Sequence, residues 1–247
     1  MFKVDSVCGR NHSLMRLPAN HVGRDLFVGD IHGQYDDLIA QLKAVNFNPD
    51  IDRVLCVGDL IDRGPASREC LNLLREPWFF AVLGNHEDFF VGAFYEGDDR
   101  AGENLFLNGG SWVLAEDQSE LRSMAADYLA NLPVAIELET ACGRRVGVVH
   151  AACSSGVWGE FNVQADIWNR RIADFERDAP EASVSGIDVV VVGHNVVAEP
   201  CKRGNTVLID TGAAKGCALT VWDSEQLLAF AGLKGDLGPA GSPRARI

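Results

Sequence analysis

Positive charge is scarce in this 247-residue chain: 22 lysines and arginines stand against 35 aspartates and glutamates, a formal net charge of −13 with a pI near 4.8. So acidic a chain is a poor partner for nucleic acid or an anionic membrane, and a phosphate substrate would need local positive charge from metal ions or a few placed arginines. No run of 18 apolar residues occurs, which excludes a membrane-spanning helix. The opening residues hold no apolar core behind basic residues, so no signal peptide is expected. There is no Cys-x-x-Cys pair; Cys8, Cys56, Cys70, Cys142, Cys153, Cys201 and Cys217 are odd in number and scattered, the pattern of free thiols in a reducing compartment. These absences together point to the cytoplasm. Internal repeats are absent as well. Apolar residues, at 47%, are plentiful enough to build one large domain.

Short apolar runs alternate with helical spacing. Residues 1–24, with His12, Pro18 and His21 among polar neighbours, read as an arm that adds an edge segment to the domain. Strands are expected over 26–28, 53–57 and 79–83, with helices over 36–45 and from Cys70 to Leu74, the latter ended by Pro77. Residues 88–133 read as an insertion capping a site: helices over 88–95 and 120–132, and between them a loop over 97–111 with four glycines. Residues 134–138 and 145–149 form a hairpin around Cys142 and Gly143, and 167–177 a helix. Strands over 187–192, 206–209, 218–222 and 227–230 close the domain at residue 232, leaving 233–247 as a disordered tail.

The densest chemistry lies at 58–64, GDLIDRG, where two carboxylates and a guanidinium directly follow the apolar run Val54 to Val57. A carboxylate beside a buried strand costs several kcal/mol unless something satisfies it, so Asp59 needs a partner. Five apolar runs end at their carboxyl edge on metal-binding residue types: Asp30 with His32, Asp59, Asn85, His150 and His194. Ligands gather outside the carboxyl ends of strands in open α/β sheets, so these ends would build one site. With His86 beside Asn85, four of the six histidines sit there. Two Asp, one Asn and three His form a mixed O/N set without thiolate, suited to Mn²⁺, Fe or Zn²⁺. Six ligands leave two metals unsaturated, with places for water and substrate, and Asp59 is the natural shared carboxylate.

The strings GDIHG (29–33), GDLIDRG (58–64), GNHE (84–87), the strand-end His150 and GHN (193–195) resemble the phosphoprotein phosphatase branch of the calcineurin-like metallophosphoesterases. PWF (77–79), LNGG (107–110), IWNR (167–170) and IDTGA (209–213) make the resemblance closest to the bacteriophage lambda type of serine/threonine protein phosphatase. The resemblance implies an α/β domain of two mixed β-sheets in a sandwich flanked by helices. It implies two divalent ions, Mn²⁺ first among the candidates, with Asp30, His32 and His194 at one metal, Asn85 and His150 at the other, and Asp59 bridging. Arg63 and Arg170 would clamp the phosphoryl oxygens; His86, oriented by Asp62, would protonate the leaving alkoxide. The implied reaction is attack by a metal-held hydroxide on a phosphomonoester, most naturally phosphoserine or phosphothreonine in a protein, or a phosphorylated small molecule.

Two other readings stand beside it. A symmetrical bis(5'-nucleosyl)-tetraphosphatase shares the metal motifs, but members of that kind typically have a non-acidic residue in place of Asp62 and GNHD in place of GNHE. A metal-bound scaffold without turnover fits poorly with an intact Asp62, Arg63 and His86. Departures from the family pattern are Ala151-Ala152-Cys153 after His150 and Asn195 after His194. Cys153 would make the site oxidation-sensitive if metals stabilised its thiolate. Asp210 ends an apolar run without being a family ligand, and Glu87 and Trp112 read as structural.

Overall fold

The computed structural model describes residues 14–170 and 183–233. Strand polarity organises the fold. β2 (Asp25–Val28), β3 (Arg53–Cys56) and β4 (Phe79–Ala81) run parallel in a four-stranded sheet, with β10 (Val221–Asp223) antiparallel on β2. The second sheet has six strands in the order β1-β5-β6-β7-β9-β8: β1 (Leu14–Leu17), β5 (Ala135–Glu139), β6 (Arg145–Val149), β7 (Val189–Val192), β9 (Thr206–Leu208) and β8 (Cys201–Arg203). Here β6, β7 and β9 are mutually parallel, and β5 with β6 is the expected antiparallel hairpin. The carboxyl ends of five strands, β2, β3, β4, β6 and β7, therefore lead to the candidate residues, and that of β9 to Asp210.

Period-two alternation divides the core. Phe27, Leu55, Val57, Val148, Val189, Val191 and Val207 pack between the two sheets. Their neighbours Leu26, Val28, Val54, Cys56, Val190 and Val192 face outward onto helices. Helix α1 (Tyr35–Ala44) covers the four-stranded sheet with Leu38 and Leu42, and α2 (Ser67–Asn72) with Cys70 and Leu71. Helix α3 (Asn85–Val91) starts three residues before the expected helix and continues as a π-turn, Gly92–Glu96. No helix among the described residues is long and apolar enough to cross a membrane.

Three expectations are corrected. The glycine-bearing stretch expected as loop contains α4 (Asp99–Leu107): Asp98 caps it by accepting from Arg100 N at 2.9 Å, and Ala101 and Leu105, one turn apart, are buried. After α5 (Gln118–Asp127), α6 (Val163–Trp168) begins before the helix expected at 167, whose remainder over 171–177 lies outside the described residues. The strand expected over 227–230 is instead α7 (Ser224–Ala231). Asp223 Oδ1 accepts from Gln226 N at 2.9 Å and Gln226 Oε1 from Asp223 N at 3.0 Å, a capping box that outweighs a short apolar run. The edge segment expected from the arm is β1, paired in parallel with β5; residues 1–13 and the tail from 234 lie outside the described residues.

Candidate active site

The turns after the strands are strained. Non-glycine residues with positive φ include His32 (45°), Asp59 (51°), Asp62 (72°), Arg63 (69°) and His194 (62°), a conformation costing on the order of 1–3 kcal/mol each. Hydrogen bonds hold it in place. Glu87, fully buried, accepts from Asp59 N and Leu60 N at 2.8 Å and from Gly84 N at 3.1 Å. Asp59 O in turn accepts from Ile31 N at 3.1 Å and His32 N at 2.9 Å, so one carboxylate stitches three strand ends together. Gly84 must be glycine, because a Cβ there would collide with Asp59 Oδ1 and Glu87 Oε2.

The histidines are oriented by their second nitrogens. His32 Nδ1 lies 2.9 Å from Ile61 O and His150 Nδ1 2.7 Å from Val57 O. A carbonyl only accepts, so Nδ1 carries the proton and Nε2 presents a bare lone pair. Burial pushes the His150 imidazole below its ordinary pKa and those of His32 and His194 to about 3, which keeps them neutral. His150 Nε2 then faces two other acceptors, Asn85 Oδ1 at 3.1 Å and Asp59 Oδ1 at 3.4 Å. His194 Nε2 is buried with no hydrogen-bond partner. Asp59 Oδ1 also accepts from His86 N at 3.1 Å, but no donor lies between it, Asn85 Oδ1 and the imidazole lone pairs, and acceptors that converge in this way fit a cation.

Two groups can hold one: His32, Asp59 and His86, and Asp59, His150 and His194, each with candidate ligand atoms within 4.8 Å of one another. Asp59 belongs to both. The ring of His194 falls in the group with His150, not in the one with His32 as the resemblance implied; its backbone N–H donates to Asp30 Oδ2 at 3.0 Å. Asp30 is 2% exposed, and burial with the charges of Asp210 and Asp59 pushes its carboxyl well up. Asp210, at the end of β9, is pushed to about 6 mainly by burial and takes a single backbone donor, Gly212 N.

Arg63 enters from the side of His32 and His86, its Nη1 donating to His32 Nε2 at 2.6 Å and its Nη2 to His86 Nε2 at 2.7 Å. His86 Nδ1 lies 2.6 Å from Asp62 Oδ2, and Trp112 Nε1 donates to Asp62 Oδ1 at 2.7 Å. Burial works against a charged His86, but Asp59 and Asp62 outweigh it and raise its pKa. Arg170 is exposed, and its charge helps to lower the pKa values of His150 and His194; the preceding Asn169 O accepts from Asn195 Nδ2 at 2.9 Å. Burial pushes the Cys153 thiol up, and its Sγ donates to Val157 O.

The family model for calcineurin-like phosphoesterases matches residues 24–206. The chain belongs to the calcineurin-like phosphoesterase family. This phosphoesterase is 32% identical over 213 residues to serine/threonine-protein phosphatase 2 of Escherichia coli, covering 84% of this chain and 95% of that one. A symmetrical bis(5'-nucleosyl)-tetraphosphatase of Actinobacillus pleuropneumoniae is 37% identical over 112 residues, 44% of this chain and 39% of that one. Among solved structures, the cold-active protein-tyrosine phosphatase of a Shewanella species shares the fold at a TM-score of 0.58 and 16% identity, covering 85% of this chain and 78% of that one.

Two residues that the sequence marks only as structural contribute to the site. Glu87 acts through the backbone of Asp59, 28 residues away, and its only signal was its place in GNHE. Trp112 reaches Asp62 across 50 residues, signalled by nothing beyond the glycine-rich turn before it.

Proposed function

We propose that this phosphoesterase is a dinuclear-metal phosphomonoester hydrolase whose substrates are phosphoserine and phosphothreonine in proteins. The observation that carries the reading is the buried pair of Asp62 and His86 beside Arg63, next to two acceptor groups that share Asp59. Asp30, His32, Asp59, Asn85, His150 and His194 would hold the ions; the donor set suits Mn²⁺, with Fe or Zn²⁺ as alternatives. Bound cations supply charge neutralisation and an acidified water. The chain's own groups do the rest. Arg63 and Arg170 grip the phosphoryl oxygens, for which the guanidinium fork is suited. As Arg63 turns its N–H groups to the phosphate, His86 Nε2 is freed to carry a proton to the leaving alkoxide, and Asp62 holds the ring by Nδ1. A serine alkoxide is a poor leaving group, so this transfer matters more than it would for a phenolate.

The extent of similarity supports a protein phosphatase over a tetraphosphatase, since the former match spans nearly the whole relative and the latter under half of it. The test is a Mn²⁺-dependent assay of a phosphoserine protein, p-nitrophenyl phosphate and diadenosine tetraphosphate, with Asp59→Asn as control. Turnover of the phosphoprotein and the phenyl ester is expected. Rapid turnover of the tetraphosphate alone would sink the reading, and metal binding without any turnover would favour a scaffold.

A further inference from the structure

We infer that Trp112 is a positioning residue for the Asp62 and His86 pair, carried to it by the helical segment 88–133. The geometry is a closed ring of four side chains. His86 and Phe90 lie one turn apart on α3. The Trp112 ring stacks on Phe90, centroids 5.9 Å apart and planes 6° from parallel, and its Nε1–H reaches Asp62 Oδ1 at 2.7 Å. Asp62 Oδ2 closes the ring on His86 Nδ1 at 2.6 Å. Each oxygen of this fully buried carboxylate thus has a separate donor, which fixes the carboxylate plane and with it the imidazole. The same turn also holds the neighbouring arginine, because Gly109 O accepts from Arg63 N at 3.2 Å. Gly109 has φ 102°, and a Cβ there would lie 2.8 Å from Arg63 N, so the turn is seated directly against the site.

Removing the indole N–H leaves Asp62 Oδ1 without its donor and the carboxylate free to rotate. Proton delivery by His86 then suffers, while ion and phosphate binding, which use other groups, do not. This rests on the phosphomonoesterase reading above, and the test separates the two. Trp112→Phe keeps the stacked ring and deletes only the donor. kcat and KM are measured with a phosphoserine peptide and with p-nitrophenyl phosphate, in the wild-type and His86→Asn backgrounds. The expected result is a kcat on the peptide lower by about 10-fold, a change on the phenyl ester of less than about 2-fold, unchanged KM, and no further loss in the His86→Asn background. Equal loss on both esters, or a further loss without His86, overturns the role of Trp112 alone. If His86→Asn itself affects both esters equally, the general-acid reading falls and this inference falls with it. Should Trp112→Phe not fold, the indole N–H resonances of ¹⁵N-labelled protein give the answer: Asp62→Asn is expected to move that of Trp112 upfield and speed its exchange. An unmoved resonance overturns the contact.

Discussion

The two ends of β2 and β3 both bury carboxylates and neutralise them differently. At the amino ends, Asp25 and Asp52 are each 4% exposed and each has an arginine: Arg53 Nε lies 2.6 Å from Asp25 Oδ1, and Arg24 Nη2 2.7 Å from Asp52 Oδ2. At the carboxyl ends, Asp30 and Asp59, joined there by Glu87 after β4 and Asp210 after β9, are at most 3% exposed, and among the described residues none forms an ion pair with a lysine or arginine. Backbone N–H groups and neutral imidazoles surround them instead, and burial drives the Glu87 carboxyl to about 8. The fold thus supplies a fixed cation where an acid only closes the sheet and none to the acids around the candidate ion groups.

The sharpest way to break this contrast is Asp59→Asn. Activity on every ester is expected to fall to background, since the residue serves both candidate ion groups. Wild-type protein with Mn²⁺ at 100 times its Kd gains about 2.7 kcal/mol of stability per site, and the variant loses that gain. In chelator the variant is expected to melt no lower than wild type, because Asn keeps an oxygen for the His86 N–H and removes a buried charge that has no lysine or arginine partner. A lower melting temperature would make Asp59 a structural acid like Asp25. Next in size, His86→Asn is expected to slow phosphoserine hydrolysis by roughly 10²–10⁴-fold and p-nitrophenyl phosphate hydrolysis far less. Equal losses would remove proton transfer from the account. Smaller again, Glu87→Gln is expected to weaken Mn²⁺ binding, read by calorimetry, by about 10–100-fold through the backbone of Asp59. Unaltered affinity would reduce Glu87 to a packing role.

What was legible beforehand follows from how far each signal travels along the chain. Asp30, His32, Asp59, Asn85, His150 and His194 each follow an apolar run by a few residues, so strand and candidate could be read together, and parallel pairing brings the ends to one edge. Contacts made across the fold left no such trace: Glu87 with the Asp59 backbone, Trp112 with Asp62, and the placing of the His194 ring beside His150 depend on how loops cross. Helix α4 was hidden by glycines although Asp98, Ala101 and Leu105 carried its signal, and α7 by a run too short to separate the two periodicities.

The smallest effect tests the amino-terminal half of the contrast. Burial alone would raise the Asp52 carboxyl, but the Arg24 guanidinium and the N–H groups of Arg24 and Asn48 outweigh it and hold it below its ordinary value. A depressed folded-state pKa stabilises the protein above the unfolded pKa, about 3.9, and that stability is lost as pH falls through the folded value. Arg24 is 41% exposed, so solvent screens the pair and the gain is modest. Asp52→Asn is therefore expected to lower the melting temperature by about 2–4 °C at pH 7 and by progressively less as pH drops below 4. Mn²⁺ affinity and turnover should stay at wild-type levels, because the ion groups lie at the other end of the strands. A loss that persists at low pH would mean that Asp52 acts through packing and not charge. A change in Mn²⁺ affinity would mean that the two ends are coupled through β2 and β3, and the separation between fold-closing acids and ion-binding acids would no longer hold.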